Sequence, residues 1–131
     1  MILHYIPKDQ LRSHWNFIKH GLEIVRSKGH PEWIVEDVYC DCYEQRSMAF
    51  LAINNQPYGF VVLQPMGNAL HVWAAWSSIN SELLLQEAWQ EIQAIAKQGS
   101  KTKITFTSQR RGWDRKALQM GFKPSTWEYT L

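Results

Sequence analysis

The chain has 131 residues, of which 45% are hydrophobic and 20% are charged. This length and composition fit one globular domain over residues 1–131 and exclude an intrinsically disordered protein. Seven tryptophans in a chain of this length predict extensive aromatic packing. Apolar runs such as residues 60–63 are too short to cross a bilayer, so no membrane partner is expected.

The formal net charge of +2 conceals an uneven distribution along the chain. Acidic residues cluster between positions 32 and 44, and basic residues between positions 97 and 123. Either these clusters are solvated faces of separate helices, or the late cluster forms a surface that attracts phosphate groups. Because no charged and then apolar leader follows Met1, we expect a cytoplasmic protein.

The first predicted elements are one strand and two helices. The apolar segment 1–6 predicts a strand that ends at Pro7. Five apolar residues at helical spacing predict the first helix: Leu11, Trp15, Ile18, Leu22 and Val25. After a break at 28–31, Pro31 is placed as the first residue of a second helix, which covers residues 32 to about 43. The apolar face of this helix comprises Ile34, Val38 and Cys42.

The two cysteines, Cys40 and Cys42, fall within this second helix. Side chains two positions apart on a helix point about 200° away from each other, so a disulfide between them is not expected. We interpret both cysteines as packing thiols.

Three strands should follow in a meander. Residues 48–53 and 58–63 are rich in β-prone side chains and flank the turn residues 54–57. A second turn at 65–68 leads into a third strand at 70–76. Strict alternation along this strand would place Leu70, Val72, Ala74 and Trp76 on one face and Trp73 on the other.

The remainder of the chain alternates helices and strands. Asn80 or Ser81 can cap a helix that reaches about Gln98, and Gly99 supplies its stop. A strand at 104–107, a helix at 110–120 and a final strand at 126–131 follow. Because a helix connects the strands at 70–76 and 104–107, these two strands should be parallel and the sheet mixed.

The predicted order is β-α-α-β-β-β-α-β-α-β, with helices on both faces of a mixed sheet. This α/β arrangement resembles the fold of the GNAT N-acetyltransferases over nearly the entire chain. The turn and glycine-aromatic step at 55–60 and the later Gly121-Phe122 pair are similar to features of that family. The segments 110–113 and 121–124 are also similar to small GNAT-like proteins of tailed phages, for which the compartment would be the host cytoplasm.

The resemblance implies that acetyl-CoA lies between the strand at 70–76 and its parallel neighbour. The implied cofactor-binding residues follow the ends of these strands: Ala75, Trp76, Ser77, Ser78, Asn80, Ser81, Ser108, Arg110 and Arg111. The family binds pyrophosphate with a glycine-rich loop, whereas residues 77–81 of this chain contain no glycine. Serine hydroxyls and the two arginines are the expected substitutes; alternatively, Ser81 acts as a helix cap alone.

The resemblance leaves the catalytic groups open. Ala117 occupies the position of the tyrosine that is the general acid in many relatives, and Tyr58 or Tyr129 would have to replace it. His71 and Glu128 are the nearest analogues of the general base. All four candidates also fit a structural role in strands. The histidines and cysteines lack metal-ligand spacing, so no metal site is predicted.

The leading hypothesis is an N-acetyltransferase that moves an acetyl group from acetyl-CoA to an amine of a small molecule or protein by direct attack. The second is a non-catalytic phage binding or virion-associated module in which side chains fill the cleft. The third, contact with nucleic acid, rests only on Arg110, Arg111, Arg115 and Lys116. A homodimer is left open.

Overall fold

Five strands form one mixed sheet in the computed structural model, which describes residues 1–29, 31–107 and 113–123. The strands are β1 (Leu3–Tyr5), β2 (Met48–Asn54), β3 (Gln56–Met66), β4 (Ala69–Ser77) and β5 (Lys103–Phe106). The helices are α1 (Leu11–Gly29), α2 (Val35–Tyr43), α3 (Glu82–Gln98) and α4 (Trp113–Gln119), and one 3-10 turn (Lys8–Gln10) precedes α1. The predicted final strand at 126–131 lies outside the described residues.

The spatial order of the strands is the same as their order along the chain, from β1 to β5. Strands β1 to β4 pair antiparallel, and β4 pairs parallel with β5. The parallel pair is the one that α3 connects, as expected for a helical crossover. The predicted meander, the mixed sheet and the α/β class are therefore confirmed.

Helices cover both faces of the sheet, as predicted. On one face, α1 and α2 bury apolar side chains that include Leu11, Ile18, Leu22 and Val38 against Phe60 and Val62 of β3. On the other face, α3 buries Ile92 and Ala96 against a second apolar cluster that includes Val61, Leu63 and Leu70. We call these two faces the α1 side and the α3 side of the sheet.

Helix α2 begins at Val35, three residues later than the predicted start. The Asp37 carboxylate accepts a hydrogen bond from the Ile34 backbone N–H at 2.9 Å, which fixes Ile34 as the residue just before the helix. Ile34 is exposed and Val35 is buried. The placement of Pro31 as the first helical residue, and of Ile34 on the apolar face, is therefore wrong.

The two cysteines have different environments. Cys42 is buried, and burial together with the nearby Asp41 carboxylate raises the pKa of its thiol to about 12. Cys40 is exposed. Both are free thiols, so the interpretation as packing thiols is confirmed for Cys42 and wrong for Cys40.

A β-bulge interrupts strand β4. Val62 of β3 pairs with Ala74, and the next residue, Leu63, pairs with Val72, so Trp73 is an extra residue on β4. The extra residue reverses the alternation along the strand, because side chains of a strand repeat every two residues. Leu70 and Val72 pack on the α3 side, whereas Trp73, Ala74 and Trp76 pack on the α1 side. The prediction of one shared face for Leu70, Val72, Ala74 and Trp76 is therefore wrong.

Glu91 of α3 ties the edge strand β1 to the rest of the fold. Its carboxylate accepts hydrogen bonds from the backbone N–H groups of Ile2 and Leu3, both at 2.9 Å. The Ile2 carbonyl in turn accepts a hydrogen bond from the Ile53 backbone N–H of β2. The carboxylate thus anchors α3 to the start of β1.

Candidate active site

The candidate site begins where the pairing between β4 and β5 ends. The two strands share four residue pairs, from Ala69 opposite Lys103 to Val72 opposite Phe106. Beyond Val72, β4 continues to Ser77 with β3 as its partner. The first residue of β4 beyond this pairing is the bulged Trp73, and a bulge increases the local twist of its strand. We call the space beside residues 73–77 of β4, where none of the described residues of β5 is paired, the gap.

A cavity of about 670 Å³ opens at this gap, a size typical of small-molecule sites. Its wall on the α3 side includes Leu84, Leu85, Ala88 and Trp89. Its wall on the α1 side includes Ile24, Val25 and Lys28. Because residues from both faces of the sheet line one cavity, the cavity passes through the sheet at the gap.

The Gly121-Phe122 pair follows α4, and Phe122 forms the cavity wall at that end. Gly121 has a φ of 96°, which residues with a side chain rarely adopt, and it turns the chain back after α4. The Phe122 ring then lies 5.0 Å from the Trp89 ring and 4.9 Å from the Phe106 ring, measured between centroids. This glycine-aromatic pair, noted in the sequence, therefore connects α4 with α3 and β5.

Six of the nine predicted cofactor-binding residues line this cavity: Ala75, Trp76, Ser77, Ser78, Asn80 and Ser81. The other three, Ser108, Arg110 and Arg111, lie outside the described residues, as do the candidates Glu128 and Tyr129. Ala75 is exposed and pairs with Val61, which packs on the α3 side. The structure therefore brings the described part of the set together at one place.

The serine hydroxyls in the segment before α3 make hydrogen bonds within the protein. Ser77 Oγ donates to the Ile79 carbonyl at 2.7 Å, and Ser78 Oγ donates to the Tyr58 carbonyl at 2.9 Å. Ser81 Oγ accepts from the Leu84 backbone N–H at 3.3 Å, so Ser81 is the helix cap that the sequence indicated. Backbone N–H groups in the first turn of α3 are donors that an anion at this end could use.

An ion pair joins the first turn of α3 to α4. Lys116 Nζ lies 3.2 Å from Glu82 Oε1, and both side chains are in contact with solvent. The Glu82 carboxylate is at the positive end of the α3 dipole, and the positive charge of Lys116 offsets its negative electrostatic potential there. Lys116 also lines the cavity. It is the one member of the late basic cluster that the described residues show beside the candidate site.

His71, the candidate general base, lies just before the gap. It pairs in register with Thr105, and its Nδ1 is 2.8 Å from Thr105 Oγ1. Burial lowers the pKa of the imidazole below its usual value of 6.5, so the neutral form dominates at neutral pH. His71 is half-buried and is not among the residues that line the cavity.

Tyr58, one of the two tyrosines considered as a general acid, lines the cavity. Ala52 of β2 pairs with Gly59 and Ile53 pairs with Pro57, so Tyr58 is a second extra residue, this time on β3. Burial, together with the carboxylates of Glu87 and Glu91, raises the pKa of its phenol. The hydroxyl is therefore protonated at neutral pH.

Two tryptophans stand at the cavity wall without filling it. The Trp76 ring packs edge-to-face against Phe17, at 5.7 Å between centroids, and against His20 at 5.6 Å. The Trp73 ring packs in the same way against Trp33 at 6.1 Å. Both indoles are thus held on the α1 side, and the cavity beside them stays open, unlike the filled cleft of the non-catalytic hypothesis.

Several lining residues carry no recognisable signal in the sequence. Ile24 and Val25 belong to the apolar spacing of α1 and Lys28 to its last turn, and nothing in that pattern indicates a cavity. They reach the site because α1 crosses the sheet over β4. In contrast, Leu85 and Trp89 belong to the repeated apolar positions of α3, and both line the cavity.

No protein-family model and no curated protein matches the sequence. Solved structures do match, among them a probable acetyltransferase with a TM-score of 0.74 at 15% identity, covering 100% of this chain and 97% of that chain. The PaiA N-acetyltransferase of Thermoplasma acidophilum in complex with coenzyme A matches with a TM-score of 0.66 at 11% identity, covering 98% and 94%. AAC(6')-Iy in complex with the bisubstrate analogue CoA-S-monomethyl-acetylneamine matches with a TM-score of 0.70 at 10% identity, covering 98% and 95%. Together with the mixed sheet, these similarities show that the chain has the GNAT fold.

Proposed function

We propose that the protein is an N-acyltransferase that binds acetyl-CoA in the gap between β4 and β5 and transfers the acetyl group to an amine. The observation that carries this proposal is the cavity at the point where the pairing of the two parallel strands ends. Similarity to solved acetyltransferases, two of them in complex with CoA or a CoA analogue, supports it.

The walls of the cavity suit the chemical groups of a CoA arm. Beside the gap, the edge of β4 at 73–77 offers backbone N–H and C=O groups to the amides of an extended chain. Ala75 leaves room on the sheet, and Leu85 and Trp89 provide apolar contacts for methylene groups. The first turn of α3 supplies backbone N–H groups and a positive dipole end for the pyrophosphate.

Acetyl-CoA supplies an activated thioester. In the transfer, the amine nitrogen forms a bond to the carbonyl carbon, the C–S bond breaks, the ammonium loses a proton and the CoA thiolate gains one. A backbone N–H at the open edge of β4 is suited to stabilise the negative charge that develops on the carbonyl oxygen. Tyr58 as general acid is part of this proposal, because it lines the cavity and its hydroxyl is protonated at neutral pH, whereas His71 does not line the cavity and no described residue is assigned as general base.

Cofactor binding is tested by thermal unfolding with and without acetyl-CoA. A ligand at 100 times its Kd stabilises a protein by about 2.7 kcal/mol, which a melting curve resolves easily. The Ala75→Phe variant fills the sheet surface beside the gap and should weaken acetyl-CoA binding by at least about tenfold. Ala94→Phe is the matched control, because Ala94 is exposed on α3 and is not among the cavity-lining residues.

An unchanged melting temperature at millimolar acetyl-CoA would reject the proposal. Turnover is tested separately, by mass spectrometry of the acetylated amine together with release of the CoA thiol. Because Cys40 is exposed, a thiol reagent must be calibrated against the protein alone. Binding of acetyl-CoA without transfer to any amine would favour a binding module over an enzyme.

A further inference from the structure

The cavity wall on the α1 side is made of aliphatic and aromatic side chains with one lysine at its rim. Ile24 and Val25 form an aliphatic wall, and the indoles of Trp73 and Trp76 form an aromatic one. Lys28, which is exposed, stands at the rim. If a CoA arm enters from the start of α3, its thioester reaches the gap from the α3 side. The acceptor amine must then approach from the α1 side, so these five residues meet the body of the acceptor.

The two indoles are fixed before any ligand binds. Trp76 is wedged between the rings of Phe17, His20 and Phe60, and Trp73 packs on Trp33. Both indoles are half-buried, so part of each ring surface remains accessible at the cavity. Rigid aromatic walls bind flat or aliphatic groups at little cost in conformational entropy.

Lys28 adds a charge preference at the rim. It lies in the last turn of α1, and its ammonium group attracts a carboxylate and repels a second cationic group on the acceptor. Aliphatic and aromatic walls with Lys28 at the rim of the α1 side therefore complement an amine whose body is apolar and whose other end is anionic.

We infer that the acceptor is a primary amine on an aromatic or aliphatic body that also carries a carboxylate, as in an aromatic α-amino acid. This inference rests on the proposed acetyl transfer and names its substrate class. The amine nitrogen forms a bond to the thioester carbonyl carbon, the C–S bond breaks, and one proton passes from the nitrogen to the CoA sulfur. The products are an N-acetyl amino acid and CoA, and an acceptor that arrives as the ammonium form also releases one proton to solvent.

Three amines test the inference against acetyl-CoA in the full chain. L-Phenylalanine has both the aromatic body and the carboxylate, phenethylamine lacks the carboxylate, and spermidine is a polycation. The expected order of kcat/KM is L-phenylalanine, then phenethylamine, then spermidine, with spermidine at least about tenfold below L-phenylalanine. A preference for spermidine would overturn the inference.

Three substitutions, one of them a control, test which residues determine the preference among these amines. Lys28→Met should lower kcat/KM for L-phenylalanine by about threefold, the loss of one exposed ion pair, and leave phenethylamine unchanged. Lys19→Met, an exposed position on the same helix that is not among the cavity-lining residues, should change neither. Ile24→Phe should raise KM for L-phenylalanine while the Kd of acetyl-CoA stays the same.

The outcomes separate this inference from the function on which it rests. If acetyl-CoA binds and another amine is acetylated but L-phenylalanine is not, or if Lys28→Met affects both aromatic amines equally, the inference is wrong and the proposed function stands. If acetyl-CoA does not bind at all, both are wrong.

Discussion

Replacing Gly21 with alanine tests how closely α1 lies on the sheet beside the cavity. A Cβ atom built on Gly21 would lie 2.7 and 2.8 Å from two ring atoms of Trp76, and it would also overlap the ring of Phe60. Phe60 is 3% exposed, and Trp76 is wedged by its neighbours, so neither ring can swing into solvent. Either α1 moves away from the sheet or the Trp76 ring moves toward the cavity.

Two opposing effects determine how much Gly21→Ala changes the free energy of unfolding. Alanine is better than glycine in a helix interior by about 1 kcal/mol. Forcing a methyl group into a packed core costs about 1–3 kcal/mol, and contacts with two rings put Gly21→Ala near the upper end of that range. We therefore expect a net loss of about 1–2 kcal/mol in the free energy of unfolding, or roughly 3–8 °C in Tm for a chain of this length.

Urea denaturation of Gly21→Ala beside Gly29→Ala measures the effect. Gly29 is in the same helix, and a Cβ atom there would meet nothing within 4 Å, so this control should be as stable as the wild type or more stable. Equal stability of the two variants would refute the close packing of α1 on Trp76. Gly21→Ala should also weaken acetyl-CoA binding, since any shift of Trp76 narrows the cavity.

Three further predictions concern other parts of the fold. Glu91→Ala leaves two backbone N–H groups of β1 without their acceptor and should cost about 1–3 kcal/mol in urea unfolding; unchanged stability would contradict the anchoring role. A thiol reagent should modify Cys40 in the folded protein and Cys42 only after unfolding, and rapid labelling of both would contradict the buried thiol. The lowered pKa of folded His71 means that the unfolded chain binds more protons below pH 6.5, so stability should fall as pH drops from 6.5 toward the folded pKa; His71→Gln should flatten this slope.

The order of helices and strands could be predicted from the sequence because it depends on local periodicity. The apolar spacing of α1, the turns around β3 and the Ser81 cap of α3 each identify an element without knowledge of its neighbours. The start of α2 could not be placed in this way. Pro31 favours a helix start, but the hydrogen bond between Asp37 and Ile34 sets the boundary later.

The candidate site was only partly predictable, because it depends on tertiary placement. Resemblance to a known fold located the segment from Ala75 to Ser81, and the structure places it at the cavity. Lys28 lines the cavity because of the way α1 crosses the sheet, and no local sequence pattern predicts that crossing. The faces of Trp73 and Trp76 were mispredicted, since one extra residue in β4 is invisible to an alternation rule.

The extra residue in β4 decides which side chains of that strand face each wall of the cavity. With Trp73 present, the indole of Trp76 belongs to the wall near α1 and the small side chain of Ala75 to the wall near α3. A one-residue shift in the register of this part of β4 against β3 would exchange them, so that a bulky ring would face the proposed path of a CoA arm while the proposed acceptor site lost its aromatic wall. Changes that alter this register should therefore be far more harmful than substitutions of similar size.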